Sequence, residues 1–209
     1  MIDYFDPDYL RKHYNEMAAQ YTQNRGRFNN DRQLQKLAGL LGHQERVLDL
    51  GCGDGVPVCR FFAERGHKVI GIDFSERMID LARKRVPHAR FLKMNIMAVD
   101  FPSDSFDLIT SFYTLFHLHK QDQTKVFRKI YQLLKPGGHT YVTLASKEYT
   151  GKDEFEGTIT FENHRLPYCH YSQAQYQEVL TWIGFSGLAL ENLTIGGETM
   201  LWALGGKPA

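Results

Sequence analysis

Three glycines at alternate positions, Gly51, Gly53 and Gly55, follow the apolar run VLDL in the stretch VLDLGCGDG, residues 47–55. Glycine is required where a chain turns tightly and where a ligand must approach the backbone without meeting a side chain. A bare turn from a strand into a helix rarely needs three glycines in five residues. The stretch therefore predicts a buried strand, a ligand-facing loop and a helix, the opening unit of an α/β sheet.

The residues after it keep that rhythm. Pro57 to Arg65 reads as a helix stopped by Gly66, KVIGID (68–73) as a second strand, and Ser75 as the cap of a helix that Pro87 closes. ARFLKM, FDLITS and HTYVTLA follow as strands. A helix from about Asp122 to Leu134 precedes the last of these, with a break at Lys135-Pro136-Gly137-Gly138. Strands alternating with helices at this spacing argue for a parallel sheet covered on both faces. Two amphipathic helices come first, one capped by Asp6 with Tyr14, Met17, Ala18 and Tyr21 on a single face, the other carrying Leu34, Leu37, Ala38 and Leu41 and stopped by Gly42. Residues 147–171 show no period and predict a long loop or an inserted hairpin. Ser172 and Gln175 then form a capping box for a helix ended by Gly184, and residues 185–192 and 199–204 predict an antiparallel pair at the sheet edge.

Asp73 ends the second strand, 22 residues after Gly51. In a doubly wound sheet its carboxylate stands beside the glycine loop, where it can accept from both ribose hydroxyls of a nucleoside. Glycine spacing narrows the choice of nucleoside ligand. A dinucleotide site needs a third glycine at the sixth position, where Val56 or Val58 stands according to register, so an NAD-type oxidoreductase is disfavoured.

With these features the chain resembles the class I S-adenosylmethionine-dependent methyltransferases, in the group of mostly small-molecule-directed members. VLDLGCGDG, GIDFSERMIDLAR with Asp73, FLKMNIMAVDFPSDSFDLI, and YTLFHL followed by LLKPGG occur in order between Tyr14 and Leu144. The resemblance implies an α/β, doubly wound, mostly parallel seven-stranded sheet with an antiparallel last strand. It also implies one domain, in which residues 1–45 form a helical lid, 46–146 the cofactor half and 147–209 a substrate-side insertion with edge strands. Carried over by position, Gly51 and Gly53 lie against the methionine moiety with Asp49 close by, Asp73 holds the ribose, and Phe74 and Met78 pack near the adenine. Asn95 and Ile96 stand where the family usually has an acid and a small residue, and an asparagine carbonyl can still accept from the adenine amine. Ser111, at the end of the fourth strand, completes the set. Tyr14 or Tyr21 is expected over the methionine tail, and Arg25 or Arg27 against its carboxylate.

The sulfonium activates its own methyl group, so the chemistry is an in-line displacement needing at most one base. Histidine suits that role, and His117, His119, His164 and His170 fall in segments expected around the methyl group. His117 and His170 are the candidate bases, with Phe155, Phe161, Tyr168 and Tyr171 as the acceptor wall. His117/His119 and Cys169/His170 lack a second spaced pair or acidic cluster, so no metal is expected.

Charge removes one class of partner. Twenty-five basic against 24 acidic residues leave a net charge of +1, without the field a nucleic-acid binder carries. A small-molecule methyl acceptor is expected, with no nucleic acid and no membrane. Three cysteines without metal spacing, an acidic opening MIDYFDPDYL and no apolar run near ~20 residues fit a soluble cytoplasmic protein. A non-catalytic protein that binds S-adenosylmethionine as a sensor stays open as the alternative, because so few residues are needed for methyl transfer.

Overall fold

The computed structural model describes residues 3–24, 28–161 and 163–209. Two helices, α1 (Pro7–Asn24) and α2 (Asp31–Ala38), precede the sheet. Then come β1 (Arg46–Leu50), α3 (Val58–Ala63), β2 (Lys68–Asp73), α4 (Glu76–Arg85), β3 (Arg90–Lys93), β4 (Phe106–Ser111), α5 (Lys120–Leu133) and β5 (Leu134–Leu144). The rest of the chain adds α6 (Lys147–Thr150), β6 (Phe155–Phe161), β7 (His164–His170), α7 (Gln173–Ile183), β8 (Ser186–Ile195) and β9 (Glu198–Gly206).

Seven strands form one sheet in the order β3-β2-β1-β4-β5-β9-β8, parallel from β3 to β5, with β9 antiparallel to both its neighbours. Side chains along each strand alternate between two cores. Val47, Leu108 and Tyr141 pack with Leu37, Phe62 and Ile79, which puts α2, α3 and α4 on one face. Leu48, Ile109 and Val142 pack with Phe127, Ile130 and Leu180, which puts α5 and α7 on the other. Strand order reverses direction between β1 and β4. Their carboxyl ends therefore open a crevice at that point, the place where such sheets bind ligands.

Several boundaries differ from the sequence reading. Gly39, not Gly42, caps α2, and Leu40 beyond it is exposed. The KPGG stretch does not end the strand. β5 runs through it as a bulge between the pairs Phe106↔Leu134 and Leu108↔His139, because the Gly137 N–H donates to the Lys207 carbonyl and the Lys207 N–H to the Gly138 carbonyl, each at 2.9 Å. Residues 147–171 resolve into the short α6 and an antiparallel hairpin, β6 with β7. Leu166 to His170 are all buried, which erases the alternation that would have revealed β7. The capping box at Ser172 and Gln175 and the left-handed Gly184 frame α7 as expected. Among the described residues no helix is long and apolar enough to cross a membrane.

Candidate active site

The loop leaving β1 folds over the end of β2, with the Gly51 and Cys52 N–H groups both donating to the Ile72 carbonyl at 2.9 Å. That fold brings the Gly53 N–H to 3.0 Å from one Asp73 carboxylate oxygen, while the Ser75 N–H donates to the other at 2.9 Å. Burial raises the Asp73 pKa to about 6 against the pull of these backbone donors. A carboxylate offers about four lone-pair sites, so two N–H groups leave capacity for two hydroxyls. Gly51 and Gly53 take φ of +73° and +54°. A Cβ on Gly51 would overlap the Thr114 side chain, whereas one on Gly53 would meet only Tyr21 Cε1, at 4.0 Å, and otherwise fill open space.

That space is a cavity open to solvent. Gly51, Gly53 and Asp73 line it, with Phe74, Met78 and Ile96. Asn95 lines it too, its amide oxygen accepting from the Met97 N–H at 2.9 Å and so capping the turn Ile96–Ala98. α1 and the segment before it add Phe5, Leu10 and Tyr14 to the lining, and the chain after β4 adds Thr114, His117 and Asp122.

His117 is 6% exposed, and its proton can be assigned. Its Nδ1 stands 2.7 Å from the Pro167 carbonyl oxygen, which only accepts, so Nδ1 carries the hydrogen. Nε2 is left with a lone pair and accepts from the Tyr14 hydroxyl at 2.7 Å. Burial holds the imidazole pKa down at about 4, keeping the ring neutral at pH 7.

Residues 47–138 match the family model described as a methyltransferase domain. That segment carries the likeness to methyltransferases, and the chain as a whole shares the fold of S-adenosylmethionine-dependent ones. A phosphoethanolamine N-methyltransferase from Plasmodium falciparum is 29% identical over 160 residues, covering 74% of this chain and 58% of that protein. The chain spans less than two-thirds of the length of the curated relatives it matches. Among solved structures, Haemonchus contortus phosphoethanolamine N-methyltransferase 2 with phosphomonomethylethanolamine and S-adenosylhomocysteine superposes with a TM-score of 0.77 at 19% identity, over 100% of this chain and 61% of that one. A Burkholderia thailandensis 1,6-didemethyltoxoflavin-N1-methyltransferase gives 0.72 at 20%, over 96% and 88%. At these identities the likeness is one of fold.

Within this methyltransferase fold, Tyr14, Gly51, Gly53, Asp73, Phe74, Met78, Asn95, Ile96 and His117 all face the one cavity. Other expected residues do not. Ser111 is fully buried and turns its hydroxyl back to the Leu50 carbonyl at 2.9 Å, because the chain reverses only afterwards, at Tyr113 with its positive φ of 57°. Asp49 lies beneath the loop, accepting from the Thr110 hydroxyl at 2.8 Å, and lines a smaller void beside the cavity. Arg25 and Arg27 lie outside the described residues.

The hairpin corrects the acceptor wall. His170 has no exposed surface and is absent from the cavity, its Nε2 lying 2.8 Å from the Thr150 hydroxyl and its Nδ1 2.9 Å from the Tyr171 carbonyl. It cannot reach an acceptor. Phe155, Tyr171 and His164 do not line the cavity either, and Phe161 and Tyr168 border a separate small void against Tyr14 and Tyr21. The hairpin works one layer back: Pro167 fixes His117, and Glu156 pairs with His119, whose ring stacks on Phe5 at 3.9 Å.

Sequence reasoning missed Phe5, Leu10, Thr114 and Asp122. Thr114 carried a usable signal, since a loop glycine that tolerates no Cβ must have a neighbour pressed against it. Phe5 and Leu10 carried none, because only the docking of α1 brings them to the sheet edge.

Proposed function

We propose that this chain transfers a methyl group from S-adenosylmethionine to an oxygen or nitrogen of an uncharged or cationic small molecule. One observation carries the reading: a single cavity is lined both by Asp73 with the Gly51–Gly53 loop and by the Tyr14–His117 pair, with its protons assigned. The residues fit the cofactor, since Asp73 keeps capacity for two hydroxyls, Gly53 leaves space a side chain would fill, and Phe74, Met78 and Ile96 offer apolar contact to a purine. When bound, S-adenosylmethionine supplies a methyl group already activated by its sulfonium.

The protein's share is alignment, exclusion of water and one proton. Tyr14 donates to His117 Nε2, so its oxygen is turned to receive an acceptor's proton as its own passes to the imidazole. Neutral His117 is ready to take it. A base held at about 4 suffices, because the acceptor's proton grows more acidic as the new bond forms.

Residues 1–45 act in this scheme as the lid, 46–146 as the cofactor half and 147–209 as the support of the acceptor end. Among the described residues lining the cavity there is no lysine or arginine, while Asp73 and Asp122 are acidic. A phosphorylated acceptor, such as the relatives' names indicate for them, finds no counter-charge among these residues. An uncharged or amine-bearing acceptor suits the lining better.

A screen of acceptors read by S-adenosylhomocysteine release, on the wild type and His117→Ala, tests the proposal. Turnover of neutral or cationic acceptors is expected, falling about 10²–10⁴-fold in the variant while S-adenosylhomocysteine affinity by calorimetry stays unchanged. Absent S-adenosylhomocysteine binding defeats the cofactor assignment. Tight binding without turnover of any acceptor defeats the enzyme assignment and favours a sensor.

A further inference from the structure

His13 and Glu16 stand one turn apart on α1, and His164 opens β7 beside them. One ligand atom from each lies within 4.8 Å of the other two, and the two imidazole rings meet edge to face with centroids 5.1 Å apart. A second observation concerns His13 alone. Its Nδ1 is 2.8 Å from the Tyr9 carbonyl oxygen, so Nδ1 carries the hydrogen and Nε2 keeps the lone pair. Metal-binding imidazoles are commonly held in this way, with a carbonyl setting the tautomer of the ligand.

We propose that His13, Glu16 and His164 bind one divalent transition-metal ion of the zinc type, which clamps α1 to the β6–β7 hairpin outside the cavity. Two imidazoles and one carboxylate suit zinc, cobalt or nickel, whereas magnesium and calcium take oxygen ligands. In a tetrahedral zinc site the ligand atoms sit ~3.3 Å apart, given bonds of about 2.0–2.1 Å. Rotation of the exposed Glu16 side chain supplies closure toward that spacing, and water fills the fourth position.

None of the three residues lines the cavity, so the ion is structural and the proposal stands apart from the methyl-transfer reading. Its place still matters to the site. Tyr14 follows His13 on the same helix, and Pro167, which fixes His117, lies three residues after His164. One tie already joins these elements on this side, from the Tyr9 hydroxyl to the Arg165 carbonyl at 2.8 Å. A metal ion would add a second and hold the Tyr14–His117 contact closed.

The pairing escapes a sequence scan because His13 and His164 are far apart in the chain and only the docking of α1 on the hairpin joins them. The test uses full-length protein without an affinity tag, stripped by a chelator. Zn²⁺ is titrated by calorimetry and Co²⁺ by visible absorption, and amide exchange is measured over residues 7–24 with and without Zn²⁺.

One ion per chain is expected, with the absorption of tetrahedral Co²⁺ and slower exchange in α1. Tm should rise by about 5–10 °C at a hundredfold excess over Kd. His13→Ala and His164→Ala should abolish all of these, and Glu16→Gln should weaken affinity at least about tenfold. His164→Gln keeps a polar side chain and separates loss of the ligand from loss of the fold. No saturable binding, a Co²⁺ spectrum unchanged in both histidine variants, or binding that leaves α1 exchange unaltered would overturn the clamp.

Discussion

Asp73 shows how one residue serves both the fold and the site. Its two oxygens already hold the Gly53 and Ser75 N–H groups, so replacement by alanine would strand two backbone donors at about 1–3 kcal/mol each besides losing the ribose contacts proposed for it. Asparagine is the cleaner change, because it keeps one acceptor oxygen and removes the charge. Asp73→Asn should weaken S-adenosylhomocysteine binding about 10–10²-fold at pH 7.5. The wild type should also bind more weakly as pH falls through about 6, where the carboxylate takes up a proton, and the asparagine variant should lose that dependence. Calorimetric titrations from pH 5 to 8 check both. An affinity that ignores pH in the wild type would remove Asp73 from the ribose.

At the level of elements, the decisive contact is the docking of α1 on α4. The Asn15 amide oxygen accepts from the Ser75 hydroxyl at 2.6 Å, and its NH₂ donates to a Glu76 carboxylate oxygen at 3.1 Å. Ser75 is also the cap of α4, accepting from the Met78 N–H at 3.1 Å. One polar cluster thus joins α1 to the helix that follows Asp73. Lys93 and Arg11 pair with the same Glu76, and the Lys93 ammonium leads the groups that hold its carboxyl down at about 2. Asn15→Ala should raise amide exchange across α1 and speed S-adenosylhomocysteine release about tenfold, as expected from two lost hydrogen bonds of about 0.5–1.5 kcal/mol each. Tm should move by only a few degrees. Stopped-flow release rates and exchange mass spectrometry measure the effect, and an unchanged release rate would mean that α1 does not gate the cavity.

Across the whole molecule, two buried groups pull stability in opposite directions with pH. His117 titrates at about 4 when folded against an ordinary 6.5, so from 6.5 downward the unfolded chain takes up a proton that the folded one refuses, and stability is lost. Asp73 titrates at about 6 against 3.8, so between those values the folded chain holds the extra proton and stability rises as pH falls. Between pH 6 and 4 the two contributions largely cancel. Asp73→Asn leaves the His117 contribution unopposed, and burial of His170 shifts that ring in the same direction as His117. Relative to wild type, the variant should lose about 1.4 kcal/mol per pH unit below pH 6, read from urea unfolding at each pH. Parallel profiles for the two proteins would show that the Asp73 carboxyl is not raised.

Local chemistry made the first half of the chain legible. Gly51, Gly53 and Asp73 are set by a loop that only glycine can form and by an acid at a fixed distance along the next strand, and both requirements are written in consecutive residues. Ser75, Ser172 and Gly184 mark helix ends through hydrogen bonds spanning no more than four residues, so α4 and α7 could be read as they stand. Where the partner is remote in sequence, the signal fails. KPGG reads as a breaker until Lys207 supplies the partners that keep it in β5. His170 and His117 look alike as sequence, yet Thr150 and Tyr171 enclose one, while Pro167 and Tyr14 turn the other toward the cavity. Tertiary packing alone decided which histidine faces the cavity, because burial and tautomer are set by neighbours that no local pattern encodes.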